Sequence, residues 1–174
     1  MFKTLKIALA ATAVTFAAGI AQAEPVKVAV GAEPYAPFSS QDASGNWVGW
    51  EIEMMKAVCA EAKLECELTP VAWDGIIPAL TSGKIDAIFG SMSITEERMK
   101  TIDFSDKYYN TPAILTIAKG SGITPSSEGV KGKTVGVQVS TTHAAYAKKH
   151  FTDASIKEYQ TQDEVNQDLA AGRI

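Results

Sequence analysis

The sequence predicts an α/β fold in two lobes, and three observations lead there. Short alternating or apolar runs are separated by stretches of helical periodicity, the pattern of parallel strands with helices packed on them. That alternation runs once through residues 26–89 and begins again at residue 134. Between the two series lie an apolar run and a loop rich in Gly, Ser and Pro. A first lobe is therefore expected over residues 24–112 and part of a second over residues 113–174.

In the first series, Val26, Val28 and Val30 alternate with Lys27 and Ala29, a strand pattern. Residues 31–46, with Pro34, Pro37 and Gly45, read as a long loop. From Glu51, apolar side chains at Ile52, Met55, Val58, Cys59 and Ala62 mark one buried helical face. Residues 65–71 give the next strand. Asp74 is then the expected N-cap of a short helix through Leu80, ended by Gly83, with Pro78 tolerated in its first turn. Residues 85–89 are a buried strand, and residues 95–100 a helical turn.

The second series is preceded by an expected strand over residues 113–118 and a loop over 119–129. A strand over 134–139, a helix over 141–150, a strand over 155–159 and a helix over 163–171 follow. The closing L-A-A-G-R-I echoes the earlier L-T-S-G-K-I-D-A-I, which leads into a strand. The sequence thus reads as stopping where a further strand would begin, leaving the second lobe incomplete.

The first 23 residues differ from the rest. Lys3 and Lys6 precede an uncharged run over residues 7–20, and Ala21-Gln22-Ala23 follows. A basic start, a short apolar stretch and small residues at a cleavage point describe a secretory signal peptide. The run is shorter than the roughly 20 apolar residues of a spanning helix. Cleavage before Glu24 would move the formal charge from −4 to −6, since it removes two lysines and no acid. An acidic chain without a basic run is a poor binder of phosphate backbones, which argues against nucleic acid as a partner. In an exported chain, Cys59 and Cys66 are expected to form a disulfide.

Candidate binding residues cluster where strands end, because loops at the carboxyl ends of parallel strands form the crevice of such sheets. Glu33 and Tyr35 follow the first strand, and Trp73 follows the second. Tyr35 is an amphipathic ring suited to a partly wet cleft, whereas Phe38, Trp47 and Trp50 read as structural. The stretch from Gly90 to Arg98 follows a buried strand and opens a helix. Backbone N–H groups, the hydroxyls of Ser91 and Ser93, and the Arg98 guanidinium suit a carboxylate. The same residues also read as a capping box, with Ser93 as N-cap and Glu96 at N3. In the second series, Ser140 and Thr142 repeat this strand-end arrangement. His143 and His150 lack the further ligands of a zinc site. No nucleophile elbow, P-loop or dinucleotide fingerprint is present, so neither an enzyme nor a cofactor is expected.

Taken in order, E-P-Y-A-P-F, W-D-G-I-I-P-A-L, G-K-I-D-A-I, S-M-S-I-T-E-E-R and F-S-D-K-Y-Y resemble family 3 solute-binding proteins of ABC transporters. The resemblance covers residues 26–174. It implies the type II periplasmic-binding-protein fold, a disulfide, and capture of an amino acid or opine by closure of two lobes. It also implies delivery to a permease in the inner membrane by a monomer acting in the periplasm. Tyr35 and Trp73 would sandwich the ligand side chain, with Glu33 as a candidate acid for a basic one. Ser91, Ser93 and Arg98 would hold the α-carboxylate, helped by Thr142 and the backbone at Ser140. Val139 departs from the glycine frequent in that loop. The aspartate that takes the α-ammonium would lie beyond residue 174, so the chain alone is expected to bind weakly. Two other activities on the same fold remain open, a cyclohexadienyl-type dehydratase and a ligand-sensing domain.

Overall fold

A computed structural model describes residues 24–110 and 112–174. The export leader expected over residues 1–23 lies outside them. The central strand β1, Val26–Gly31, is buried along Val28, Ala29 and Val30. It is followed by a small antiparallel pair, β2 at Ser40–Gln41 and β3 at Trp47–Val48. The loop expected over 31–46 therefore contains a hairpin, too short to leave an alternation in the sequence.

Helix α1, Trp50–Glu61, buries Glu51, Ile52 and Met55. Strand β4, Cys66–Val71, pairs in parallel with β1 from Val26↔Cys66 to Gly31↔Val71. Cys59 of α1 and Cys66 of β4 are disulfide-bonded. Strand β5, Ala87–Ile88, flanks β1 on its other side, also in parallel. It is shorter than the expected strand, but its ladder reaches further: Asp86 N–H donates to Lys27 O at 2.9 Å and Phe89 N–H to Ala29 O at 2.8 Å.

Between β4 and β5 the chain makes a 3-10 turn at Trp73–Gly75 and then helix α2, Ile76–Thr81. Asp74 is not the N-cap: it lies inside the turn, and Gly75 flanks α2 without a side-chain cap. The helix ends as expected at Gly83, in the left-handed region at φ 71°. Lys84 N–H reaches Ala79 O and Gly83 N–H reaches Leu80 O, both at 3.0 Å, closing a Schellman motif. Ile76 and Ala79 of α2 pack with Ala29 and Ile85 as one core.

Helix α3, Glu96–Met99, is capped by Thr95, whose Oγ1 accepts from Arg98 N–H at 3.2 Å. The Ser93–Glu96 capping box is thus not formed. Thr95 has the extended conformation of an N-cap, and Arg98, not Glu96, stands at its N3. Residues 113–118 are not a strand either. An apolar run becomes a strand only with a neighbour to complete its ladder, and Ile114 is 82% exposed.

The second sheet pairs β6, Thr134–Gln138, with β7, Ser155–Tyr159, again in parallel. Helix α4, Thr142–His150, is capped by the Thr141 hydroxyl, and α5, Gln162–Ala170, by a Thr161–Glu164 capping box. Val130, Val137, Ala144, Ala147 and Phe151 form this sheet's own core. Among the described residues no helix is long and apolar enough to cross a membrane.

Gly49 fixes how α1 begins. Its φ is 125°, and a Cβ there would stand 2.3 Å from Phe38 O and 2.7 Å from Phe38 C. Backbone cannot yield as a flexible side chain can. Gly49→Ala should therefore destabilise the fold by about 2–3 kcal/mol, combining overpacking with a strained φ. Urea unfolding of the two proteins checks this, and a loss below the error of the midpoint would refute it.

Candidate ligand-binding cleft

Because β4, β1 and β5 run in parallel, their carboxyl ends meet at one edge of the first sheet. Glu33 lies two residues beyond β1, Trp73 two beyond β4 and Ser91 three beyond β5. Glu33 Oε1 accepts from Trp73 N–H at 3.4 Å. A carboxylate from the neighbouring strand end thus serves the turn that Asp74 was expected to cap.

Arg98 lies half-buried among these strand ends. Its Nη1 donates to Ser93 O at 2.9 Å and its Nη2 to Ser140 O at 3.0 Å. Its guanidinium carbon stands 5.8 Å from the centroid of the Trp73 ring, within cation–π range. Trp73 Nε1 also donates to Ser140 O, at 3.3 Å. One carbonyl after β6 therefore receives hydrogen bonds from two side chains of the first lobe. Burial lowers the Arg98 pKa from its ordinary value, yet a guanidinium starts so high that it keeps its charge.

Ser91 and Ser140 occupy equivalent places after β5 and β6, and both are left-handed, at φ 53° and 58°. This conformation is uncommon for a residue with a Cβ and points to constraint by the surroundings. At Ser140 the backbone carbonyl carries the contacts. At Ser91 the backbone N–H donates to Glu51 Oε1 at 2.7 Å, while Oγ accepts from Tyr109 O–H at 2.5 Å. Ser93 reaches Arg98 through its carbonyl. Thr142 begins α4 and is half-buried, but the cap is Thr141, whose Oγ1 accepts from Ala144 N–H at 3.0 Å and donates to Gln138 O at 2.8 Å.

Tyr35 belongs to a second cluster. Its ring stacks on Phe38 at 5.3 Å, Phe38 stacks on Tyr109 at 5.2 Å, and Trp50 meets Phe38 and Tyr109 edge-on. Tyr108 lies against Trp50 and Phe89. Tyr35 and Trp73 are thus in separate groups, with no ring contact between them.

Three residues that the sequence reading did not single out enter here, Glu51, Tyr108 and Tyr109, beside Trp50, which was read as structural. Glu51 is 0% exposed, and its Oε1 accepts from Tyr108 O–H at 2.5 Å as well as from Ser91 N–H. Burial, then the bond to Glu51, push the Tyr108 phenol well above its ordinary range. Burial and, more weakly, the Glu51 charge also raise Tyr35. Only the unusual E-I-E after Trp50 and the paired tyrosines signalled these residues, and neither feature says which side chain is buried.

Two parallel α/β units join around their strand ends, with a guanidinium and an indole of one held at a carbonyl of the other, so a cleft lies between two lobes. The chain matches bacterial extracellular solute-binding proteins, family 3, over residues 26–173, and it belongs to that family. It is 40% identical over 162 residues to an L-arginine-binding protein of Pseudomonas aeruginosa, covering 92% of this chain and 61% of that protein. It is 41% identical over 153 residues to a histidine-binding periplasmic protein of Salmonella typhimurium, covering 86% and 59%. Among solved structures, an ancestral arginine-binding protein bound to glutamine superposes with a TM-score of 0.82 at 37% identity, over 88% of this chain and 68% of that one. The chain spans about three fifths of the length of the curated relatives it matches.

The raised Tyr108 pKa has a consequence for stability. The folded state favours the neutral phenol, so its contribution is complete below the unfolded pKa of about 10 and is lost as pH rises toward the folded value. Stability should fall above pH ~10 more steeply in the native sequence than in Tyr108→Phe. Urea midpoints at pH 8 to 11 for both proteins check this, and parallel curves would rule it out.

Proposed function

We propose that this chain captures a free amino acid outside the cytoplasm by closure of its two lobes, in the service of an ABC-transporter permease of the inner membrane. A cleaved leader over residues 1–23 would export it, and it would act as a monomer. The observation that carries the reading is the cleft itself: Arg98 and Trp73 of the first lobe meet at Ser140 O of the second. A guanidinium with donors to spare, beside an indole face, suits an α-carboxylate next to a flat or extended side chain. The two relatives are named for arginine and histidine, which supports a basic or polar ligand.

In this reading Arg98, Ser91 and Ser93 hold the carboxylate, with the Ser140 and Thr142 end of the second lobe closing over it. Trp73 and Tyr35 line the side-chain region, and Glu33 balances a cationic side chain. Glu33 is already at the Trp73 amide through Oε1, and its Oε2 makes no hydrogen bond among the described residues. No cofactor is required, because the chemistry is recognition alone.

Thermal unfolding of the chain with L-arginine up to millimolar concentration tests the proposal. A ligand at 100 times its dissociation constant adds ~2.7 kcal/mol to the folded state. We expect arginine to raise the melting temperature, Arg98→Ala to abolish the shift, and Glu33→Gln to weaken arginine by about tenfold while sparing glutamine. Equal melting with and without arginine, histidine and glutamine would defeat the reading.

A further inference from the structure

The structure holds a fully buried carboxylate that the proposed ligand contacts do not use. Glu51 stands at the second position of α1, where the positive end of the helix favours an acid. It is 0% exposed, and among the described residues neither a lysine nor an arginine pairs with it. Its Oε1 instead takes two donors from different parts of the chain, Ser91 N–H after β5 and Tyr108 O–H in the segment leading to the second lobe. Its Oε2 is buried with no partner among the described residues. A buried acid with an orphan oxygen is expensive for the fold, so its retention here calls for a role.

The hydrogen-bond directions supply one. Ser91 is held left-handed, with its N–H committed inward to Glu51. Its Oγ accepts from Tyr109 O–H. A hydroxyl has one proton and two lone pairs, so an Oγ that accepts from Tyr109 keeps its own proton to donate. Tyr108 O–H, adjacent in sequence, is used on Glu51, and Ser91 N–H also donates to the Tyr108 oxygen at 3.1 Å. The three side chains therefore fix which Ser91 group faces inward and which remains a donor.

We infer that Glu51 is a positioning residue for the cleft: with Tyr108 and Tyr109 it locks the Ser91 loop, so that this edge of the cleft is already in place when a ligand arrives. The inference about the ligand rests on the function proposed above, whereas the locking of Ser91 does not. Glu51 touches no ligand in this arrangement. It acts through Ser91, and it ties that loop to the chain that crosses between the lobes.

Amide hydrogen exchange at Ser91, without any ligand, tests the lock. It would be read in the native chain, Glu51→Leu and Glu51→Gln, beside L-arginine affinity by calorimetry. The Ser91 amide should be protected in the native chain, exchange at least about tenfold faster in Glu51→Leu, and regain most of its protection in Glu51→Gln, which keeps an acceptor oxygen. Arginine affinity should follow the same order. Tyr109→Phe should leave the Ser91 amide protected and still weaken arginine by about tenfold, since it frees the hydroxyl to turn. A Ser91 amide that exchanges in the native chain like an exposed loop amide overturns the inference, even if Glu51→Leu fails to fold. So does protection unaltered in Glu51→Leu. Protection that behaves as expected, with no arginine bound by the native chain, upholds the lock and counts against the function instead.

Discussion

The parallel pairing of β1 with both neighbours is the constraint from which the rest of the cleft follows. A central strand hydrogen-bonded on each side and buried on both faces cannot slip by one residue without exchanging Ala29 with the bulkier Val28 and Val30 between two packed faces. Once that register is set, three strand ends lie side by side, and Glu33, Trp73 and Ser91 are delivered to one edge from positions 58 residues apart in sequence. The Glu33–Trp73 bond is the visible result. No local motif would have joined these residues, and neither helix propensity nor turn chemistry is involved. The sheet does it.

Across the cleft the second sheet makes a different contribution. Its strand end offers a carbonyl, Ser140 O, rather than a charged side chain. A carbonyl facing a guanidinium is a favourable pairing in a partly dry site, and it leaves the Arg98 charge uncancelled. A carboxylate in the same place would have neutralised Arg98 and left nothing to attract an anion. A guanidinium carries five N–H donors. Two carbonyls, those of Ser93 and Ser140, are bonded here, so donors remain for a further acceptor.

Much of this was legible in the sequence wherever the signal is local. The β-α alternation, the helix stop at Gly83 and the loop of residues 119–129 are written in short-range periodicity and punctuation. The strand-end candidates followed from one rule about parallel sheets applied to Glu33, Trp73, Ser91, Arg98 and Ser140. What was not legible depended on partners distant in sequence. S-M-S-I-T offers three hydroxyls for one cap, and only the backbone at Thr95 decides among them. The run over residues 113–118 has the composition of a strand, but composition does not provide a neighbouring ladder. Glu51 sits where an acid at a helix start is ordinarily solvated, and only the packing of the Ser91 loop and Tyr108 over it makes it buried.

The two left-handed serines show why the half-sites are not interchangeable. Both follow a strand and precede a helix, and each carries a backbone cost of about 1 kcal/mol or more. At Ser91 the N–H turns inward to a carboxylate on α1, so the loop is tied to its own lobe. At Ser140 the carbonyl turns outward to Arg98 and Trp73, so the loop is tied to the opposite lobe. The first loop is therefore preorganised by its own lobe, whereas the contacts of the second exist only while the lobes are together. The cleft thus has one wall held within its own lobe and one held by contacts from across it.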